Sequence, residues 1–265
     1  MDLGIRGKVA LVTGGSKGIG LASATRLAEE GCHVGLVARN EADLKTAADM
    51  IADTTGVQTF YTTADMGTSA EVERSTQEVR SALGEIDILV TCAGSSPGGL
   101  IEELTDDEWF SSLNLKFMGY VRAVRAVLPR MRERGKGSVV MVVGNDGIKP
   151  SYWETTAGVA NAADINFASS MAEQYGRYGV RVNTINPGPV NTDRWDGLEK
   201  AFARDKGVDQ PRAHELAVQS IPFGRICEPD EVADLVAFLA SERASFINGA
   251  HILIDGAQRK AIMDM

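Results

Sequence analysis

Cysteine is scarce, with three residues in the chain, and histidine equally so. Cys32, Cys92 and Cys227 lie far apart and are odd in number, which excludes a disulfide framework and a zinc pattern. A reducing compartment is expected. His33, His214 and His251 are scattered, so no metal site is expected. Positive charge is also short: 27 Lys and Arg stand against 36 Asp and Glu, a formal net charge of −9. That balance argues against nucleic acid or an anionic membrane as the main partner. No apolar run approaches the roughly 20 residues of a membrane span. The opening MDLGIRGK has no apolar signal region, so a cytoplasmic location is expected. Internal repeats, low-complexity segments and linkers are missing too, and the whole of 1–265 reads as one domain.

What is present is an ordinary soluble composition, 44% hydrophobic and 24% charged, in 265 residues. Such a chain buries a core without covalent staples. Apolar segments of strand character alternate with helical ones. Lys8–Thr13, His33–Ala38, Val57–Thr62, Ile86–Thr91, Ser138–Val143, Arg181–Asn186 and His251–Ile254 read as strands. Between them, Gly18–Glu30, Glu41–Ala52, Ser69–Leu83, a long stretch Asp106–Arg134, Thr155–Tyr178 and Pro229–Ala240 read as helices. Continuous apolar strands alternating with helices predict an α/β fold, a doubly wound parallel sheet of Rossmann type with helices on both faces. Residues 191–222, with Pro, Gly and mixed charge and no strand, read as a substrate-loop region over the active-site edge. Ligands in such sheets bind beyond the carboxyl ends of the strands.

The first strand runs into Thr13-Gly14-Gly15-Ser16-Lys17-Gly18-Ile19-Gly20 and then a helix. Glycines there let backbone N–H groups approach a pyrophosphate, and the helix N-terminus attracts the same anion. The spacing is Gly-x-x-x-Gly-x-Gly, and its place between a strand and a helix points to a dinucleotide. The second strand ends at Arg39, where an acidic residue would bind the adenosine ribose. A guanidinium there, with Lys17 facing the same space, suits a 2′-phosphate and therefore NADP(H). Asp65, followed by Met66, is placed after the third strand to meet the adenine. Ala93 and Gly94 close the fourth strand with small residues where the cofactor backbone passes.

The chain resembles the short-chain dehydrogenase/reductase family over its whole length. The resemblance rests on the turn from Thr13 to Gly20, on Asp65, Ala93-Gly94 and Asn114 within Leu113-Asn114-Leu115, and on Ile185-Asn186-Pro187-Gly188-Pro189-Val190-Asn191-Thr192. Phe238-Leu239-Ala240-Ser241, then Gly249, then Asp255-Gly256 complete it. The resemblance implies that Pro187, Gly188, Val190 and Thr192 flank a nicotinamide, and that the protein is a cytosolic homotetramer or homodimer acting on a small molecule. It also implies a serine after the fifth strand, a tyrosine thirteen residues on and a lysine four beyond that. The segment Gly147-Ile148-Lys149-Pro150 sets the register, and these positions hold Gly144, Ala157 and Asn161. Cys92 stands where an asparagine is usual. Of the four catalytic positions Asn114 alone is retained in this reading.

Without the tyrosine there is no general acid for the carbonyl oxygen, a loss of about 10²–10⁴ in rate. Without the serine the oxyanion loses a donor worth about 10²–10³. Asn161 can still bind ribose hydroxyls but carries no charge. Tyr152, five residues before Ala157, is the candidate replacement phenol; with Trp153 it can equally be a pocket wall. Glu154, Asp146 and Arg194-Trp195-Asp196 lie near the same mouth. The expectation is an NADP(H)-dependent oxidoreductase with a non-standard site, reducing a small carbonyl or an activated alkene. A lyase, dehydratase or cyclase on the same scaffold, or an inactive cofactor-binding subunit, are the alternatives.

Overall fold

The computed structural model describes residues 1–259. The final six residues of the single domain expected over 1–265 lie outside the described residues. Seven strands, β1 Val9–Thr13, β2 His33–Ala38, β3 Thr59–Thr63, β4 Ile86–Thr91, β5 Gly137–Val142, β6 Val180–Pro187 and β7 His251–Ile254, form one sheet in the order β3-β2-β1-β4-β5-β6-β7. Every pairing is parallel. The helices are α1 Gly18–Glu29, α2 Glu41–Thr55, α3 Ser69–Leu83, α4 Asp106–Leu115, α5 Phe117–Arg134, α6 Thr155–Gly176, α7 Asp193–Lys206, α8 Gln210–Gln219 and α9 Pro229–Ala240.

Successive strand side chains point to opposite faces, so each apolar strand feeds two cores. Ala10, Val12, Val34, Leu36, Val90 and Val140 meet α1, α2 and α9 through Leu27, Leu44, Ile51 and Val236. Val9, Leu11, Leu89, Val139 and Val182 meet α3, α5 and α6 through Val79, Val124, Leu128 and Ala168. This is the predicted Rossmann-type doubly wound sheet. Winding reverses between β1 and β4, which are neighbours, and a crevice opens beyond their carboxyl ends.

Two segments depart from the expectation. The helix expected over Asp106–Arg134 is two helices that meet at Lys116. The main-chain carbonyl of Asn114 accepts from Arg122 Nη1 at 2.9 Å, and a side chain inserted into the helical ladder is a recognised cause of a kink. Residues 191–222 are not a loop but largely α7 and α8, packed on each other through Trp195, Phe202, Ala213, Ala217 and Ile221. The Gly, Pro and charges that read as loop are helix punctuation. Gly207 ends α7 at φ +64°, Asp209 caps α8 by accepting from Arg212 N at 2.9 Å, and Pro211 sits in its first turn. Among the described residues no helix is long and apolar enough to cross a membrane.

Candidate active site

The turn after β1 is built by backbone against backbone. Gly14 and Gly18 take φ of +70° and +55°, where side chains are rarely tolerated. A Cβ on Gly14 would lie 2.9 Å from Ala93 N and 3.0 Å from the Cys92 carbonyl carbon. One on Gly20 would collide with the Gly14 carbonyl oxygen. The turn is thereby pressed onto the end of β4. Helix α1 begins without a side-chain cap and without an acidic residue in its first turn, so its leading N–H groups and positive end face the crevice. Lys17 and Arg39 are exposed beside it, and neither pairs with a carboxylate among the described residues. Asp65 is exposed and its Oδ1 accepts from Gly67 N at 2.8 Å. Met66 is buried against Gly119, and its carbonyl accepts from Arg122 Nη1 at 3.2 Å.

Beyond the carboxyl ends of β4, β5 and β6 lies a cavity of about 190 Å³. Pro187, Gly188, Val190 and Thr192 form one wall, with Ile19 and Gly94 beside them. Gly144, Asn145, Asp146, Asn161 and Lys116 also line it, with Lys116 against Gly94, and Trp195, Leu198 and Phe202 of α7 add an apolar cover. Glu199 braces that cover: it accepts from Trp195 Nε1 at 2.6 Å, and His214 Nδ1 of α8 lies 2.6 Å from the same oxygen. The floor is pinned from the far end of the chain. Lys149 Nζ reaches Asp255 Oδ2 at 2.5 Å, and Asn145 donates to Gln258 at 2.8 Å.

Asn161 Nδ2 donates to Asp146 Oδ1, and Gly144 makes room for that contact. A Cβ at Gly144 would stand 2.5 Å from Asn161 Nδ2 and 2.7 Å from Asp146 Oδ1. Gly144→Ser is therefore expected to break the Asn161–Asp146 bond and cost about 1–2 kcal/mol rather than install an oxyanion donor. A thermal melt of the variant measures this; an unchanged Tm would mean the pair moves aside freely.

The titratable groups near the cavity are unevenly placed. Lys116 is buried, and burial holds its ammonium below the usual lysine range, partly offset by Asp146, while Arg194 lowers it further. Asp164, on the inner face of α6, is fully buried, and no described group donates to either carboxylate oxygen. Burial pushes it up to about 8, against the pull of Lys116. Tyr120 is in the wall, but its phenol donates to the Val142 carbonyl at 2.6 Å, and burial raises it well above the phenol range. The Cys92 thiol is pushed up to about 12 by burial and is no nucleophile.

With this geometry in place the comparisons are decisive on family. Residues 8–202 match the family described as short chain dehydrogenase. The chain belongs to the short-chain dehydrogenase family. It is similar to 2,3-dihydro-2,3-dihydroxybenzoate dehydrogenase of Bacillus subtilis, 32% identical over 96% of each chain. It is 30% identical to a 3-oxoacyl-[acyl-carrier-protein] reductase of Chlamydia muridarum, over 94% of this chain and 96% of the other. Among solved structures, L-sorbose reductase from Gluconobacter frateurii, complexed with NADPH and L-sorbose, superposes with a TM-score of 0.92 at 36% identity, covering 97% of this chain and 98% of that one. An actinorhodin polyketide ketoreductase variant with NADPH gives a TM-score of 0.92 at 29% identity over 95% and 97%.

Within this short-chain dehydrogenase fold, the residues named from sequence separate into two groups. Ile19, Gly94, Asn161, Pro187, Gly188, Val190 and Thr192 meet at the cavity, and Gly14, Ser16, Lys17, Gly18, Gly20 and Ala93 build the turn leading to it. Asn114 is not brought there. It is exposed, donates to the Gly67 carbonyl at 3.1 Å and accepts from Arg122 Nη2 at 2.7 Å. Tyr152 is also absent from the cavity wall and stands 55% exposed, while Trp153 packs under Gly98. Ala157 is buried and does not line the cavity. Sequence reasoning missed Lys116, Tyr120, Glu199 and Gln258. A lysine within the otherwise apolar face that continues into Gly119, Tyr120 and Ala123 was the one readable signal among them.

Proposed function

We propose that this protein is an NADP(H)-dependent oxidoreductase that reduces a small carbonyl compound or activated alkene, without the serine, tyrosine and lysine its family uses. The observation carrying this is the continuity of an anion-binding turn with an apolar-covered cavity walled by Pro187, Gly188, Val190 and Thr192. The residues present fit the dinucleotide. Gly14 and Gly20 leave a cradle that a Cβ would fill, and the α1 N-terminus keeps its donors free. Gly14, Ser16, Gly18, Ile19 and Gly20 would hold the pyrophosphate, and Lys17 and Arg39 the 2′-phosphate. Asp65 and Met66 would take the adenine, Ala93 and Gly94 the path between, and Asn161 the ribose. Pro187, Gly188, Val190 and Thr192 would orient the nicotinamide, which supplies hydride when bound. Trp195, Leu198 and Phe202 exclude water from the reacting face, so residues 191–222 act as the cover of a substrate site. Gly144, Ala157 and Asn161 present no acidic proton there.

The NADPH complexes of the sorbose and polyketide reductases support the choice of cofactor. The family resemblance supports a homodimer or homotetramer, and the free thiols of Cys32, Cys92 and Cys227 support a cytoplasmic setting. Arg39→Ala tests the cofactor assignment. A charged hydrogen bond to phosphate contributes about 1.5–3 kcal/mol, so the variant is expected to bind NADPH roughly 10–100-fold more weakly and NADH little changed. Fluorescence titration of each reduced dinucleotide reads this, and equal losses would remove the 2′-phosphate assignment.

A further inference from the structure

We propose that Lys116 is the proton donor of this site: its Nζ protonates the oxygen of a carbonyl substrate as hydride reaches the carbonyl carbon. This rests on the reductase reading above and assigns the acid that reading leaves open. Lys116 stands at the junction of α4 and α5 and lines the cavity with Gly144 and Asn161. Its stem runs along the end of β4, for a Cβ on Gly94 would lie 3.2 Å from its Cγ and 3.3 Å from its Cε.

Several other groups at the cavity are spent or unsuited. The Tyr120 phenol is committed to the Val142 carbonyl, and Asn161 is engaged with Asp146 and has no proton to release. Arg194 keeps its protons at any working pH. Tyr152 stands outside the wall. An ammonium also opposes the negative charge that grows on the substrate oxygen. Burial lowers its affinity for the proton and so makes it a better acid near neutrality.

The charges facing Lys116 come from four segments: Asp146 on the turn after β5, Glu154 before α6, Asp164 on α6 and Arg194 on α7. Of these Asp164 is fully buried with both oxygens unpartnered, and its negative form raises Lys116. Asp164 is a positioning residue: burial pushes it up to about 8, and above that pH its negative charge favours the ammonium of Lys116.

The step balances. The carbonyl carbon takes hydride from the reduced nicotinamide, the C=O π pair moves to oxygen, and an O–H bond forms as the Nζ–H bond breaks. The lysine is left as a neutral amine and the nicotinamide oxidised, and water returns one proton to Nζ.

The test uses Lys116→Met and Lys116→Arg with NADPH and three probes: 2,3-butanedione, ethyl acetoacetate and L-sorbose. Lys116→Met is expected to lower kcat by about 10²–10⁴ with the NADPH Kd within about twofold of wild type. Lys116→Arg is expected to lose as much, because its charge remains but its proton does not leave. The basic limb of the wild-type pH profile is expected below the ordinary lysine range, and Asp164→Asn moves it lower still. Independently of turnover, reductive ¹³C-methylation is expected to show one dimethyl-lysine resonance, missing in Lys116→Met, that titrates below all others and shifts down in Asp164→Asn. Wild-type kcat in Lys116→Met or Lys116→Arg, or an ordinary titration of that resonance, overturns the assignment and leaves the reductase reading standing. Wild-type protein that oxidises NADPH with none of the three probes overturns that reading and the assignment with it.

Discussion

Gly20→Ala is expected to abolish dinucleotide binding and to lower Tm by roughly 10 °C. The added Cβ would lie 2.1 Å from the Gly14 carbonyl oxygen, a contact of backbone with side-chain root that no rotamer change relieves. Gly14 cannot retreat, because its own Cα is already held against Ala93 and Cys92 at the end of β4. Overpacking of this kind costs about 1–3 kcal/mol, and more where backbone must move; a domain of this size loses about 2–4 °C per kcal/mol. The turn that survives has its N–H groups turned from their anion. The measurement is the NADPH-induced rise in Tm, present in wild type and absent in the variant. Gly197→Ala is the control: nothing lies within 4 Å of its Cβ position, it sits within α7, and alanine there is expected to stabilise by about 0.5–1 kcal/mol. A Gly20→Ala protein still protected by NADPH would move the phosphate site elsewhere.

Asp164→Leu is expected to raise stability by about 1–3 kcal/mol, since a buried carboxyl with no donor is replaced by an apolar side chain of nearly the same shape. The gain depends on pH in a definite direction. The folded chain holds the Asp164 proton up to about pH 8, whereas the unfolded chain releases it near the ordinary aspartate value of 3.8. Between these values the folded state binds more protons, so the wild type weakens as pH rises, by at most about 1.4 kcal/mol per unit. Leucine has no such slope. The Tm difference between variant and wild type is therefore smallest near pH 4 and widest near pH 8. Lys116, lowered by burial, imposes the opposite slope only on the alkaline side of its folded value. A Tm difference that is flat between pH 4 and 8 would mean Asp164 is ionised in the folded protein.

The fold was readable because its determinants are local. Strands β2, β4 and β7 and helices α3 and α9 fall at the residues where the periodicity places them. The turn from Thr13 to Gly20 was readable for the same reason, since its glycines, strand and helix are contiguous. Helices α7 and α8 escaped because their apolar faces are short and interrupted by the caps that define them. Asp164 escaped as well: on paper it is one polar residue on a small-residue helix, and its isolation is a property of what surrounds it.

By itself the sequence determined the doubly wound sheet, the glycine-rich turn between β1 and α1 and the lack of a phenol or ammonium at positions 157 and 161 of α6. Only the tertiary structure decided which groups line the cavity near them. Asn114 and Lys116 are two residues apart, and at about 100° per residue they point to nearly opposite sides of a helix. Which side met the cavity goes with the break at Lys116, where Arg122 bonds the Asn114 carbonyl, and with the packing of Gly119 on Met66. The contact of Gly119 with Met66 joins segments some fifty residues apart, so the direction of a single side chain follows in part from long-range packing that no local pattern encodes.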